Sequence, residues 1–273
     1  MKVTLLGTGS PIPDAVRAGP STLVQAGDQN LLFDCGRGVL MRLAAAGLYP
    51  GFLHRVILTH LHSDHTTDFN DLVTTRWAMS PVENPLPVVG PPGTRAYVDR
   101  VLAMLTDDIG YRIAHHDDLN WQPGVNVTEA HDGEVFDEDG VRMVAAPSDH
   151  RPVAPTSAFR IEHDGAAVVI AGDTVPCDGL DRLCADADIY VQTVIRPEMV
   201  RAIPSVRIQD IHDYHSTIEQ AAQTAARNRV RTLVLTHPVP APIPGTEPQW
   251  IAEAAAHFDG EIVLAVDLTV IET

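Results

Sequence analysis

The sequence has almost no lysine. Lys2 is the only one, so arginine supplies the rest of the 19 basic residues, set against 36 acidic ones. The resulting formal charge of −17 excludes a general nucleic-acid-binding surface, because a field of that sign repels a polyanion at long range. A polyanionic partner would need a local basic patch or a bound metal, and Arg37, Arg76, Arg151 and Arg196 are the candidates for such a patch. Cysteine is scarce too. Cys35, Cys177 and Cys184 are odd in number and contain no Cys-x-x-Cys pair, which argues against a disulfide scaffold and for reduced thiols in the cytoplasm. No apolar run approaches the ~18–20 residues that span a bilayer, so an integral membrane protein is excluded. The opening Met1-Lys2-Val3-Thr4-Leu5-Leu6-Gly7 reads as a strand rather than a secretory leader.

What is present is an ordinary globular composition: 273 residues, 45% hydrophobic and 20% charged. No low-complexity stretch or Ser/Gly linker divides it, so a single domain over 1–273 is expected. Strand-length apolar runs alternate with helix-length segments. Strands are expected at 3–7, 21–25, 31–34, 55–59, 86–89, 125–129, 141–145, 156–161, 167–171, 189–194, 232–236 and 262–266. Helices are expected at 37–46, 67–79, 94–105, 179–185, 217–227 and 249–257. Two buried strands share an ending: Arg55-Val56-Ile57-Leu58-Thr59-His60 and Arg231-Thr232-Leu233-Val234-Leu235-Thr236-His237. The repeat implies two related β/α halves packed sheet to sheet, with both strand ends pointing into one cleft.

The strongest chemical signal is His60-Leu61-His62-Ser63-Asp64-His65, directly after a strand. It places three imidazoles and a carboxylate within six residues. Imidazole nitrogen and carboxylate oxygen are the donors Zn²⁺ takes, at about 2.0–2.2 Å. His60 and His62, two apart, point the same way in an extended loop. A single metal cannot accommodate all four beside more distant ligands, whereas two metals sharing the cleft can.

This His-x-His-x-Asp-His pattern resembles the signature of the metallo-β-lactamase superfamily, and the resemblance covers essentially the whole chain. It implies an α/β fold, a four-layer αββα sandwich with a dinuclear metal site at one sheet edge. The later parts of the family pattern follow in order: the lone His in Pro147-Ser148-Asp149-His150, the Asp in Ala171-Gly172-Asp173-Thr174, and the strand-end His in Leu235-Thr236-His237. The resemblance implies that His60, His62 and His150 bind one metal, that Asp64, His65 and His237 bind the other, and that Asp173 bridges them. It implies two Zn²⁺, with Mn²⁺ or Fe as alternatives. Gly7-Thr8-Gly9-Ser10-Pro11, Asp34-Cys35-Gly36-Arg37-Gly38 and Gly90-Pro91-Pro92-Gly93 resemble the ribonuclease Z and arylsulfatase-like branch. In that branch a His-Ser-Thr before the last metal His supplies a catalytic imidazole. Here it is His215-Ser216-Thr217, at an interval of 237 − 215 = 22 residues. Asp64 and His215 are therefore the candidate catalytic residues, and Asp34 is expected to support the site from behind.

Two departures stand out. The branch usually carries a long Gly/Pro-rich arm between the lone His and the bridging Asp, used to grip tRNA. Here that interval is 173 − 150 = 23 residues, filled by one strand pair around His163-Asp164-Gly165. The branch also has a His-Glu-Ala-Thr whose Glu supports the catalytic imidazole, and this chain reads Tyr190-Val191-Gln192-Thr193-Val194. The expected function is thus a dinuclear metal phosphodiesterase, ribonuclease Z-like, acting on a small phosphodiester or RNA. The alternatives are a tRNA 3′-processing endoribonuclease proper, an arylsulfatase, and a non-catalytic metal-binding scaffold. The expected setting is cytoplasmic, off the membrane, with a homodimer as the family's usual assembly. Efficient cleavage of small phosphodiesters and poor, salt-sensitive cleavage of precursor tRNA are expected from the missing arm.

Overall fold

The computed structural model describes residues 1–273. In chain order its strands and helices are β1 Lys2–Gly7, β2 Ser21–Ala26, β3 Gln29–Phe33, α1 Val39–Ala45, β4 Arg55–Ile57, α2 Ser63–Thr66, α3 Phe69–Ala78, β5 Leu86–Gly90, α4 Thr94–Met104, α5 Thr106–His115, β6 Val125–Glu129, β7 Gly133–Glu138, β8 Val141–Pro147, β9 Ser157–His163, β10 Ala166–Ile170, α6 Asp178–Cys184, β11 Ile189–Ile195, α7 Pro197–Arg201, α8 Val206–Gln209, α9 Ile218–Arg227, β12 Thr232–Val239, α10 Glu247–Ala255, β13 Glu261–Leu264 and β14 Thr269–Glu272. They form two seven-stranded sheets, β14-β1-β2-β3-β4-β5-β6 and β13-β12-β11-β10-β9-β8-β7. The expected αββα sandwich is the observed one.

Alternation along the strands explains the layering. In β11, Ile189 and Val191 face one way into a core shared by both sheets, with Val3, Leu5 and Phe33 opposite. Tyr190 and Val194 face the other way, against Leu180, Ala221, Ala222 and Trp250 of the outer helices. The first sheet repeats this, with Leu32, Val56 and Val88 packing on Leu43, Leu72 and Val98. Strands buried on both faces read as continuous apolar runs, which is why these were visible in the sequence. Two strands and four helices were not expected. In β7 only Phe136 is buried among acidic residues, and β14 is a short edge strand. The helix α5 buries only Ile109, while α7 and α8 are single turns too short to show a period. The expected helix at 67–79 is α3, starting two residues later, and the single turn α2 just before it was not expected.

Strand direction places the site. β3, β4 and β5 run parallel in one sheet, and β10, β11, β12 and β13 run parallel in the other. β1 is antiparallel to β2 and β2 to β3, so β1 also runs with β3. The carboxyl ends of these strands meet at one edge of the sandwich, where open α/β sheets bind ligands. At the far end of β9, the turn Asp164–Gly165 returns the chain directly into β10, so no arm emerges there.

Candidate metal centre

The candidate side chains gather at that edge: His60 and His62 follow β4, Asp64 and His65 lie on α2, His150 follows β8, Asp173 follows β10, His237 is near the end of β12, and His215 just precedes α9. Asp34 follows β3 in the left-handed region, at φ 58°. Its Oδ1 accepts the Thr59 backbone N–H at 2.8 Å, and its Oδ2 accepts the Thr59 hydroxyl at 2.9 Å. That hydroxyl proton is then committed, so the contact between His60 Nδ1 and Thr59 Oγ1, 3.0 Å long, requires the ring to donate. The lone pair of His60 is left on Nε2, facing the cleft. Asp34 Oδ2 also accepts from His65 Nδ1 at 2.7 Å, and the Tyr214 carbonyl accepts from His150 Nδ1 at 2.9 Å. One acceptor behind each ring thus sets its tautomer and aims Nε2 inward, the usual support for a metal-ligating imidazole. Gly172 lets β10 approach this framework: a Cβ there would lie 2.7 Å from Thr59 Cβ.

The inward atoms fall into two groups, His60, His62, His150 and Asp173 in one and Asp64, His65 and His237 in the other. His60 Nε2 lies 3.1 Å from His62 Nδ1, which lies 3.3 Å from His150 Nε2. A tetrahedral site with metal–nitrogen bonds of ~2.0–2.1 Å has edges of about 3.3–3.4 Å, close to these separations. In the second group Asp64 Oδ2 is 3.2 Å from His237 Nε2 and 3.6 Å from His65 Nε2. Asp173 Oδ2 faces both groups, 3.4 Å from His65 Nε2 and 3.9 Å from each of His60, His150 and His237 Nε2. Three polar atoms here, His65 Nε2, His237 Nδ1 and Asp173 Oδ1, are buried without a hydrogen-bond partner. Unpaired buried polar atoms are costly in a folded protein, and those of His65 and Asp173 lie among other donors in the cleft. The donor chemistry, the spacing and the orphaned atoms all fit divalent ions.

The charges of the groups differ. Burial lowers the pKa values of His60 and His62 and brings His150 down to about 4, so all three are neutral at pH 7. Burial would lower His65 as well, but the Asp173 and Asp34 carboxylates outweigh it and hold the ring well above its usual value. Burial works against ionisation of Asp64, and the hydrogen bond from His237 with the nearby His65 charge overcomes it, keeping the carboxylate ionised. His237 sits at φ 49°, an unfavourable conformation for a side-chain-bearing residue, costing about 1–2 kcal/mol that the surrounding strand must hold in place.

His215 joins the site rather than a remote surface. It is buried, with Nε2 3.3 Å from Asp173 Oδ2 and Nδ1 2.8 Å from the Ile211 carbonyl. Both neighbours are acceptors, so the arrangement favours the doubly protonated ring, which can donate to each. Burial opposes this charge, but the bond to Asp173 prevails and raises the pKa. Thr217 caps α9 through a capping box with Gln220, which fixes the chain just after His215. Gln192 does not stand in for a supporting Glu. Its Oε1 accepts from Tyr190 Oη and its Nε2 donates to the Thr193 carbonyl, both within the buried face of β11. The Ile211 carbonyl orients His215 instead.

Thr59 and the carbonyls of Ile211 and Tyr214 were not foreseen. The shared Thr-His endings pointed towards Thr59, whereas main-chain carbonyls leave no trace in a sequence. Of the four arginines considered for a basic patch, Arg76 lies elsewhere, donating to the Pro50, Leu53, Asn84 and Pro85 carbonyls. Arg151 pairs with Asp149, and Arg196 with Glu198 and Glu253. Arg37 is the one exposed member of the four without a carboxylate partner. Beside the centre, His150, Arg151, Val153 and Gly179 contribute to an open cleft of about 900 Å³.

Comparison with known proteins agrees with this geometry. Residues 29–238 match the model of the β-lactamase superfamily domain. Ribonuclease Z of Mycobacterium avium strain 104 is 58% identical over 270 residues, covering 98% of this chain and 96% of that protein. Ribonuclease Z of Mycobacterium marinum is 56% identical over all of this chain and 98% of its own. Among solved structures, human tRNase Z, short form, superposes with a TM-score of 0.73 at 26% identity, covering 100% of this chain and 98% of that one. The metallo-β-lactamase fold protein YhfI from Bacillus subtilis gives 0.77 at 23% identity, covering 100% and 98%, a likeness of fold. The chain belongs to the β-lactamase superfamily and, within it, to the ribonuclease Z family.

Proposed function

We propose that the protein is a zinc-dependent phosphodiesterase that cleaves RNA, with one ion held by His60, His62 and His150, a second by Asp64, His65 and His237, and Asp173 between them. The observation that carries this reading is the position of Asp173 Oδ2, within 4 Å of donor atoms from both groups. The relatives named ribonuclease Z, aligned nearly end to end, support it.

Bound divalent ions would supply Lewis acidity to the phosphate and make the attacking water easier to deprotonate. The chain's residues do the rest. Asp64, ionised within the second group, accepts a hydrogen bond from the water and aims it at phosphorus. His215, charged through its contact with Asp173, donates its Nε2 proton to the departing oxygen, while the Ile211 carbonyl keeps the ring in line. Asp34 and Thr59 hold the His60 and His65 rings so that neither must reorganise during turnover.

The test is hydrolysis of bis(p-nitrophenyl) phosphate and of a precursor tRNA transcript by zinc-loaded protein, before and after chelation. Cleavage of both that disappears with chelator and returns with zinc is expected. Chelator-resistant cleavage, or hydrolysis of p-nitrophenyl sulfate in preference to the diester, would overturn the proposal.

A further inference from the structure

A protein of charge −17 without a protruding arm must hold a polyanion by some local means. Eleven of its arginines have a carboxylate within 4.0 Å, a pairing that spends their charge within the protein. Arg17, Arg76 and Arg95 direct theirs to chain atoms: Arg17 to Thr8 Oγ1 and the Ala265 carbonyl, Arg76 to carbonyls of neighbouring loops, Arg95 to the Val127 carbonyl. Four remain exposed without a carboxylate partner: Arg37, Arg100, Arg201 and Arg207. Arg37 makes one side-chain hydrogen bond, to the Ser10 carbonyl at 3.2 Å.

Three of these four lie on connections that lead out of the metal edge. Arg37 is three residues beyond Asp34, and the neighbouring Gly36 packs so closely that a Cβ there would come 2.7 Å from the Asp64 carbonyl oxygen. Arg201 and Arg207 lie on the connection from β11 to α9, which is tied to the site at both ends. It starts where the Arg196 N–H donates to the Val239 carbonyl, two residues past His237. It ends with the Ile211 and Tyr214 carbonyls holding His215 and His150. Arg37 therefore belongs to one half of the sandwich and the other two to the opposite half, with the candidate metal groups between. Glu198 is paired with Arg196, and Asp213 lies against His212, while Asp68, whose Oδ2 accepts from the Gly38 N–H beside Arg37, and Asp14 and Asp210 on the connections have no arginine partner. Arg100, the fourth, sits six residues into α4.

We propose that Arg37 on one side and Arg201 and Arg207 on the other form a divided phosphate grip that holds the backbone of an RNA substrate across the cleft, in place of an arm. The proposal rests on the RNA-cleaving function above. It narrows the substrate to a polynucleotide long enough to touch both sides, because a small diester reaches only the metal groups. It also reconciles the overall acidity with RNA recognition, since three of the four exposed arginines without a carboxylate partner lie on connections flanking the metal groups. Each phosphate contact releases condensed cations, adding roughly 0.7–0.9 to the slope of log affinity against log salt.

The experiment compares zinc-loaded wild type, the triple variant Arg37→Gln/Arg201→Gln/Arg207→Gln, and the control Arg100→Gln. Anisotropy of a fluorescein-labelled precursor tRNA transcript gives binding across a salt series, and bis(p-nitrophenyl) phosphate gives basal turnover. The triple variant should bind RNA at least about tenfold more weakly at physiological salt, with its salt slope reduced by roughly two to three. Its turnover of the small diester should stay within about twofold of wild type, and Arg100→Gln should match wild type in both assays. Unchanged RNA affinity and slope in the triple variant would overturn the proposal, as would an equal loss with Arg100→Gln. A parallel fall in small-diester turnover would assign these arginines to the centre itself and equally overturn it. If wild type cleaved neither substrate, the hydrolase reading would fall, and the binding slopes would still decide the grip.

Discussion

His60, His62 and His150 offer three neutral nitrogens, whereas Asp64, His65 and His237 offer two nitrogens and an anion, with a second carboxylate, Asp34, directly behind one ring. The first group is steadied by uncharged partners, a hydroxyl and a carbonyl. The second is embedded in charge. Near-identical ligand spacing therefore conceals two different electrostatic settings, and the pair should respond differently to protons and to mutation.

The largest effects come from removing one group at a time. His150→Ala should leave one ion in the second group, and His237→Ala one ion in the first, each with diester turnover lost. Metal content measured beside activity checks this, and a variant that lost both ions would mean that the groups are not separable. His215→Ala should retain both ions yet lower kcat by ~10²–10⁴-fold, the range for a general acid. Loss of an ion there would reassign His215 as a ligand. Asp34→Asn should weaken zinc about 10–100-fold in the second group, where the carboxylate sits directly behind the His65 ring and raises its basicity, and less in the first, where it reaches His60 only through the Thr59 hydroxyl. Equal weakening of both ions in a competitive chelator titration would break the comparison.

The smallest effect is in protons. Because the pKa of His65 is raised, its ring is protonated at pH 7 in the metal-free protein and must lose that proton to bind zinc. Affinity at the second group should thus climb with pH, by at most about tenfold per unit, until pH passes the raised value. His60, His62 and His150 are already neutral at pH 7, so affinity at the first group should be flat there. Calorimetry in buffers of different ionisation enthalpy should find one proton released with one ion and none with the other.

The two halves of the sandwich were unequally legible. The first contributes four donors in six consecutive residues after β4, and local spacing alone pointed to metal. The second contributes His150, Asp173 and His237 singly from three strand ends, and no local pattern marks any of them. Their order along the chain identified them only through resemblance to a family. Buried strands were legible because both faces are apolar, while β7 and α5 each bury a single side chain and read as solvent-exposed polar segments. The acceptors that orient His150 and His215 are main-chain atoms, so their placement depends on the fold of the β11–α9 connection rather than on residue type.

The central claim is a pair of ions on either side of Asp173. Anomalous diffraction from zinc-loaded crystals measures it directly. The account predicts two zinc peaks per chain, roughly 3.5–4 Å apart, one against His60, His62 and His150 and the other against Asp64, His65 and His237. A single peak, or none, in crystals grown with excess zinc would contradict it.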